Sequence, residues 1–202
     1  MQGAKKKEET YNFLLETGKE LAKRKLGTLF IIARKRDFRG AYEPLYPQVV
    51  KGARLSDKGS RELILKLAEL DGAFLVGHDG RIVAFGARIK KSKVLPGNGT
   101  KHAAAVGFTS HVKNSVAVLV SEETNWVKVF KKGKIILEMD STKTPESVMH
   151  DVVAFVADND TALLATAGVS AAIFGFIPVV IISGTYLTIK TASGLIKKSL
   201  RH

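Results

Sequence analysis

No cysteine occurs among the 202 residues, so disulfides and thiolate metal sites are excluded, and a reducing compartment is the natural setting. Aromatic residues are scarce at 7%, with one tryptophan, which leaves few rings for stacking on bases. Acidic residues number 19 against 32 Lys and Arg, a formal charge of +13, and that balance suits an anionic partner. The basic residues are spread along the chain, at Lys5–Lys7, Lys23–Lys25, Arg34–Arg39, Lys90–Lys93, Lys131–Lys134 and Lys197–Arg201. They are not interleaved with aromatics, and no nucleic-acid module motif is present, so nucleic acid is the disfavoured partner. The pattern Gly-x-x-x-x-Gly-Lys-Ser/Thr is also missing, which rules out an ordinary P-loop ATPase. The first residues are charged and continue as an amphipathic segment, so no signal peptide is expected.

What is present reads as alternating helices and strands. Residues 8–25 carry Tyr11, Leu14, Leu15, Leu21 and Ala22 on one helical face, with Gly18 as a local weak point. Thr28–Ala33 is a continuous apolar run of strand length, as in a strand covered on both faces. Arg34 to Lys58, broken by Pro44 and Pro47, is expected to be a long loop with at most a short turn. Ser56 or Asp57 could cap a helix over Arg61–Leu70 with Leu63, Ile64, Leu67 and Leu70 inward. Two hairpins follow from turn chemistry, one at His78-Asp79-Gly80 and one at Lys131–Gly133. Between them lie a helix over about Thr100–Val112, with Thr100 as a cap, and a buried strand in Ser115–Glu123. Thr144-Pro145-Glu146 opens a last helix running to about Asp158. The expected fold class is α/β, a mixed parallel/antiparallel central sheet flanked by helices, with a C-terminal apolar helical segment.

That last segment has no charge from Thr161 to Ile189. About 20 apolar residues suffice to cross a bilayer, so it is a membrane candidate. Pro178 divides it, and Lys190, Lys197, Lys198 and Arg201 follow it, against the positive-inside tendency. A single span, a hairpin dipping into one leaflet and a hydrophobic arm buried against another subunit all remain open.

The chemistry gathers between Asp71 and Glu123. In the loop Pro96–Ala105, Gly97, Asn98 and Gly99 allow a tight turn, and Thr100, Lys101 and His102 open a helix. A helix N-terminus carrying Lys and His is an anion site in outline, most naturally for phosphate. Asp71 stands at a helix-to-strand junction, and Ser121–Glu123 close a central strand. Loops at strand ends gather on one rim, where ligands bind. A carboxylate, a cationic phosphate cradle and further carboxylates suit metal-assisted phosphoryl or nucleotidyl transfer. His78, His111 and His150 lack metal-ligand spacing and read as structural or solvent-exposed.

Three motifs in order, DGA at Asp71–Ala73, GTKHAAA at Gly99–Ala105 and VSEE at Val120–Glu123, make residues 25–140 resemble the diadenylate cyclase domain, of the DisA N-terminal type. The entry strand LGTLFIIAR at Leu26–Arg34 supports the likeness. The resemblance implies condensation of two ATP into cyclic di-AMP across a face-to-face homodimer with Mg²⁺ or Mn²⁺. It places Asp71 near the ribose 3′-hydroxyl and the metal, with Gly72 and Ala73 lining the nucleoside. Gly99, Thr100, Lys101 and His102 would hold the triphosphate, and Ser121 and Glu123 would complete the phosphate and metal shell. The family has arginine where Lys101 stands, a second basic residue where Ala103 stands and, in some members, a histidine where Leu70 stands. Lysine keeps the charge of arginine but not its bidentate fork. The alternative function is a weak or inactive cyclase-like domain that senses ATP or a dinucleotide. The implied organisation is an amphipathic helix (1–26), a cyclase-like domain (27–158) and an apolar segment (159–202), on the cytoplasmic face and tethered through 161–189.

Overall fold

The structure, a computed structural model, describes residues 2–90 and 99–158, together with the backbone of strands at 169–174, 177–182 and 185–188. Helix α1 (Gln2–Lys23) leads into β1 (Thr28–Ala33), a single 3-10 turn (Lys35–Phe38) and the short β2 (Tyr42–Pro44). Helix α2 (Ser60–Leu67) precedes the hairpin β3 (Ala73–Gly77) and β4 (Ile82–Ile89). Helix α3 (Thr100–His111) is followed by β5 (Val116–Val120), β6 (Trp126–Lys131), β7 (Lys134–Asp140) and α4 (Met149–Ala157). The sheet order is completed by β8 (Val169–Phe174), β9 (Ile177–Ile182) and β10 (Thr185–Thr188), giving β10-β9-β8-β7-β6-β5-β1-β3-β4-β2.

The sheet is mixed. β1 runs parallel to β3 but antiparallel to β5, and most other described pairs are antiparallel. Every residue of β1 is buried, and the pleat sorts them. Phe30 and Ile32 join the core under α1, α2 and α4, while Leu29, Ile31 and Ala33 join the one under α3. The apolar run Thr28–Ala33 is thus a central strand covered on both sides.

Helix α1 buries Tyr11, Leu14, Leu15, Leu21 and Ala22 against β5 and β6, each large side chain contributing about 1.5–3 kcal/mol. Gly18 does not break this helix. It is a contact point, where a Cβ would meet Val120 at 3.4 Å and Val127 at 3.7 Å.

Several local expectations are corrected. The 34–58 stretch is a loop that includes β2, and Gly52 N–H donates to Ile82 O, so it covers the outer side of β4. Helix α2 starts behind Gly59 at φ +82° without a side-chain cap, because Asp57 accepts from Arg54 N–H instead. Leu63 is exposed, since the helix packs through Ile64 and Leu65. Gly99, not Thr100, is the N-cap of α3, again without a side-chain bond. The apolar tail was expected to be helical. Its described part is extended, with β8 parallel to β7 and β9 and β10 antiparallel beyond it. The β-branched residues of 177–188 (Ile, Val and Thr) favour strands, a signal that length and lack of charge had obscured. No helix among the described residues is long and apolar enough to cross a membrane.

Candidate active site

Register places two of the three sequence motifs, DGA and VSEE, on one rim. Leu29 pairs with Ala73 on one side and Leu119 on the other, and Thr28 pairs with Val120. Asp71 precedes β3 by two residues and Ser121 follows β5 by one, so both leave the sheet beside Gly27. Two strand spacings separate their chains, roughly 10 Å. The mixed direction of the sheet produces this meeting, since β3 starts at the rim where β5 ends.

The Asp71 corner is set by backbone. Gly72 adopts φ +97°, and a Cβ there would stand 2.6 Å from both Ala87 N and Gly86 C. Only glycine fits such a position. Gly86 is held in turn at φ +52° beneath the Tyr46 ring, and its carbonyl accepts from Leu45 N–H at 2.9 Å. Asp71 is exposed, and its Oδ1 accepts from Gly72 N–H at 2.8 Å. Among the described residues no cation pairs with it. Ala73 is buried as the first residue of β3.

Across the seam, Ser121 N–H donates to Trp126 O at 3.0 Å, closing the β5–β6 turn. Ser121 Oγ accepts from Thr124 N–H at 3.2 Å, so its hydroxyl proton is available to a ligand. Glu123 is exposed in that turn. Glu122 lies over Gly27, where a Cβ would sit 2.8 Å from Glu122 Cβ and 3.0 Å from Oε2. Gly27 is the residue that sequence reasoning missed. A lone glycine just before a buried strand was its only signal.

Helix α3 delivers the third group. Its first intrahelical bond runs from Ala103 N–H to Gly99 O, so the N–H groups of Thr100, Lys101 and His102 have no partner within the helix. Gly99 and Thr100 are exposed. The Lys101 ammonium donates to Gly27 O at 3.0 Å, reaching the seam between Asp71 and Ser121. His102 points elsewhere, edge-on to the Phe130 ring at 5.0 Å and 86°. Burial lowers its pKa, with Lys128 adding and Glu138 opposing, so the imidazole is neutral at pH 7. It can offer one N–H but no charge. Ala103 is buried on α3, so this position offers no second cation. Lys90 is exposed, while Lys91, Lys93 and Pro96–Asn98 of the glycine loop lie outside the described residues.

The other histidines stand apart from the rim. His78 meets Tyr11 edge-on, His111 Nδ1 bonds Gly107 O, and His150 is exposed. Among the described residues no group of three His, Asp or Glu could hold a metal. Asp71, Glu122 and Glu123 are the carboxylates at this rim, and one or two of them would suit an ion such as Mg²⁺, which usually takes one or two carboxylates together with substrate phosphates.

Residues 16–135 match the diadenylate cyclase (DAC) family, described as the DisA bacterial checkpoint controller nucleotide-binding domain. The chain belongs to this family. The matched segment of the DAC domain contains all three rim motifs and ends within β7. A diadenylate cyclase of Methanocaldococcus jannaschii is 32% identical over 120 residues, covering 57% of this chain and 38% of that protein. One from Haloferax volcanii is 28% identical over 139 residues, covering 65% and 51%. The chain thus spans about half or less of the length of these relatives. DacA from Staphylococcus aureus shares the fold at a TM-score of 0.51 and 23% identity, over 74% of this chain and 96% of that one.

Proposed function

We propose that the chain is a diadenylate cyclase that condenses two ATP into cyclic di-AMP and two pyrophosphates. The observation that carries this reading is the exposed carboxylate of Asp71, with no cation paired to it among the described residues, on the same rim as Lys101 and Ser121 and within the segment matched to the DAC family. In each of two steps a ribose 3′-oxygen attacks the α-phosphorus of the facing ATP, the P–O bond to pyrophosphate breaks, and the hydroxyl proton leaves. Asp71 is the group to receive or direct that proton. A fixed carboxylate next to an alcohol serves as a base once a cation lowers the alcohol's pKa. Gly72 and Ala73 form a floor without bulk for the nucleoside. Thr100, Lys101 and the free N–H groups of α3 take the phosphates, the ammonium by charge and the N–H groups by direction. His102 contributes a neutral donor, and Ser121 donates its hydroxyl to a phosphate oxygen.

Mg²⁺ or Mn²⁺, held by Asp71 and Glu123, would withdraw charge from the phosphates and acidify the 3′-hydroxyl. Each rim holds one ATP, so the reaction needs two copies of the chain face to face.

Incubation of the purified chain with ATP and Mn²⁺, with products resolved by chromatography, tests the proposal. Cyclic di-AMP should form, and Asp71→Asn should abolish it without changing the melting temperature. ATP binding without product would leave the second reading, a cyclase-like sensor. That reading is favoured by Lys101 being engaged with Gly27 O and His102 being turned onto Phe130. Membrane association through 161–189 belongs to the same proposal. Retention of the full chain in membranes after a carbonate wash would support it, and full release would end it.

A further inference from the structure

Away from the Asp71 rim, the structure carries a second site. A cavity of about 400 Å³ lies at the edge of the sheet beside the 3-10 turn Lys35–Phe38, on the side of the sheet covered by α3. Four cations border it, Lys35, Arg36, Arg39 and Lys51, and no carboxylate lines it. Its floor is apolar, formed by Phe38, Tyr42 and Val83. A smaller cavity of about 170 Å³ shares Lys35, Lys51 and Val83 and adds Arg81 and Asp79. The neighbouring acids are already engaged: Asp37 takes Arg34 at 2.8 and 3.1 Å and Arg36 at 3.9 Å, and Asp79 takes Arg81 at 3.6 Å. Among the described residues no acid pairs with Lys35, Arg39 or Lys51.

The walls are firm. Phe38 is buried and stacks on Phe108 of α3 at 5.5 Å. Arg81 Nη1 donates to Gly52 O at 3.2 Å, and Gly52 N–H to Ile82 O at 2.8 Å, which pins the segment bearing Lys51 beside β4. Tyr42, half-buried in β2, pairs with Ile89 and leaves part of its ring to the cavity. Cations gathered around a small hollow repel one another, and a bound anion relieves that cost. Bare inorganic anions are matched by polar walls. An apolar floor with an aromatic ring under a cationic rim is matched by a ligand with a flat ring and a phosphate. The size is that of ordinary small-molecule sites, ~300–1,000 Å³.

We infer that this cavity binds a nucleotide, its base over Tyr42 and Val83 and its phosphates between Lys35, Arg39 and Lys51. The inference stands whether or not the Asp71 rim is catalytic. The ligand chemistry, a flat base with phosphate, is shared by a mononucleotide and by one half of a dinucleotide.

The test is photolabelling of the full chain with 8-azido-ATP, followed by peptide mapping and competition with AMP, cyclic di-AMP and inorganic pyrophosphate. Label is expected on the peptide spanning residues 40–51, separately from any label on residues 71–121. Competition by AMP at lower concentration than cyclic di-AMP would assign the site to mononucleotides, and the reverse order to a dinucleotide. The triple variant Lys35→Glu/Arg39→Glu/Lys51→Glu should cut this label at least tenfold. These three side chains are exposed, so the melting temperature should hold. Tyr42→Ala, which keeps every charge, should cut it several-fold. Four outcomes would overturn the inference. One is absence of label in 40–51. Another is label that survives charge reversal in a folded variant. The third is pyrophosphate competing as well as the nucleotides, which would show an anion site without ring recognition. Protection of this segment by anionic phospholipid vesicles in place of nucleotide would likewise reject it in favour of a membrane surface.

Discussion

The two corners of the rim are built on opposite principles. At the Asp71 corner the backbone decides. Gly72 and Gly86 both hold positive φ, and their chains touch so closely that no Cβ could enter. At the α3 corner the backbone is ordinary. Gly99 has φ −67°, a Cβ there would touch nothing within 4 Å among the described residues, and the position of each side chain depends on what it finds nearby. Lys101 finds a carbonyl and His102 finds a phenyl ring. A corner made of backbone presents its carboxylate in one way only, whereas a corner made of side chains can change partner when a ligand arrives.

The sharpest way to break this contrast is activity. Asp71→Asn should lower the rate of cyclic di-AMP formation by roughly 10²-fold or more, the range for a positioned acid–base group. Lys101→Met should instead mainly raise KM for ATP. Equal losses in kcat from both changes would erase the distinction.

Stability is the next measure. Gly72→Ala should cost about 3 kcal/mol or more in denaturant unfolding, combining positive-φ strain with overpacking. Gly99→Ala should stay within about 0.5 kcal/mol, as at an open surface position. A tolerant Gly72 would mean that the corner can relax. Lys101→Met should fall between the two, about 1 kcal/mol for the lost bond to Gly27.

The smallest effect is pH-dependent. Burial lowers the pKa of both His102 and His78 from 6.5. The unfolded chain therefore binds their protons at higher pH than the folded one. The stability due to the neutral imidazoles is complete above pH 6.5 and is lost as pH falls through the folded values. Melting temperatures measured between pH 7.5 and 5 should decline, and His102→Gln should flatten part of that decline. An unchanged slope would place His102 in water rather than against Phe130.

The same contrast explains what could be read from sequence. DGA was legible through its order with GTKHAAA and VSEE, and the positive φ that its corner requires is one that Gly72 tolerates. The central strand was legible because Thr28–Ala33 contains nothing that tolerates water. The directions of Lys101 and His102 were not, since a side chain's partner depends on residues such as Gly27 and Phe130, distant in sequence. Capping at Ser56, Asp57 and Thr100 was not legible for a related reason: the helices start behind Gly59 and Gly99, and neither has a side-chain cap bond. The tail was misread because absence of charge marks burial without choosing between helix and strand, and its pairing partner β7 lies outside it.

One consequence of the reversed pairing around β1 concerns folding. The rim joins Thr28 to Val120 and Leu29 to Ala73, contacts that close long loops and so slow folding. Ser121 reaches the rim only through the pairing of β5 with β1, so a fragment ending short of β5 lacks one side of the seam. A compound that binds across this rim therefore recognises only the finished fold, and at saturating concentration it will hold the chain folded as well as occupied.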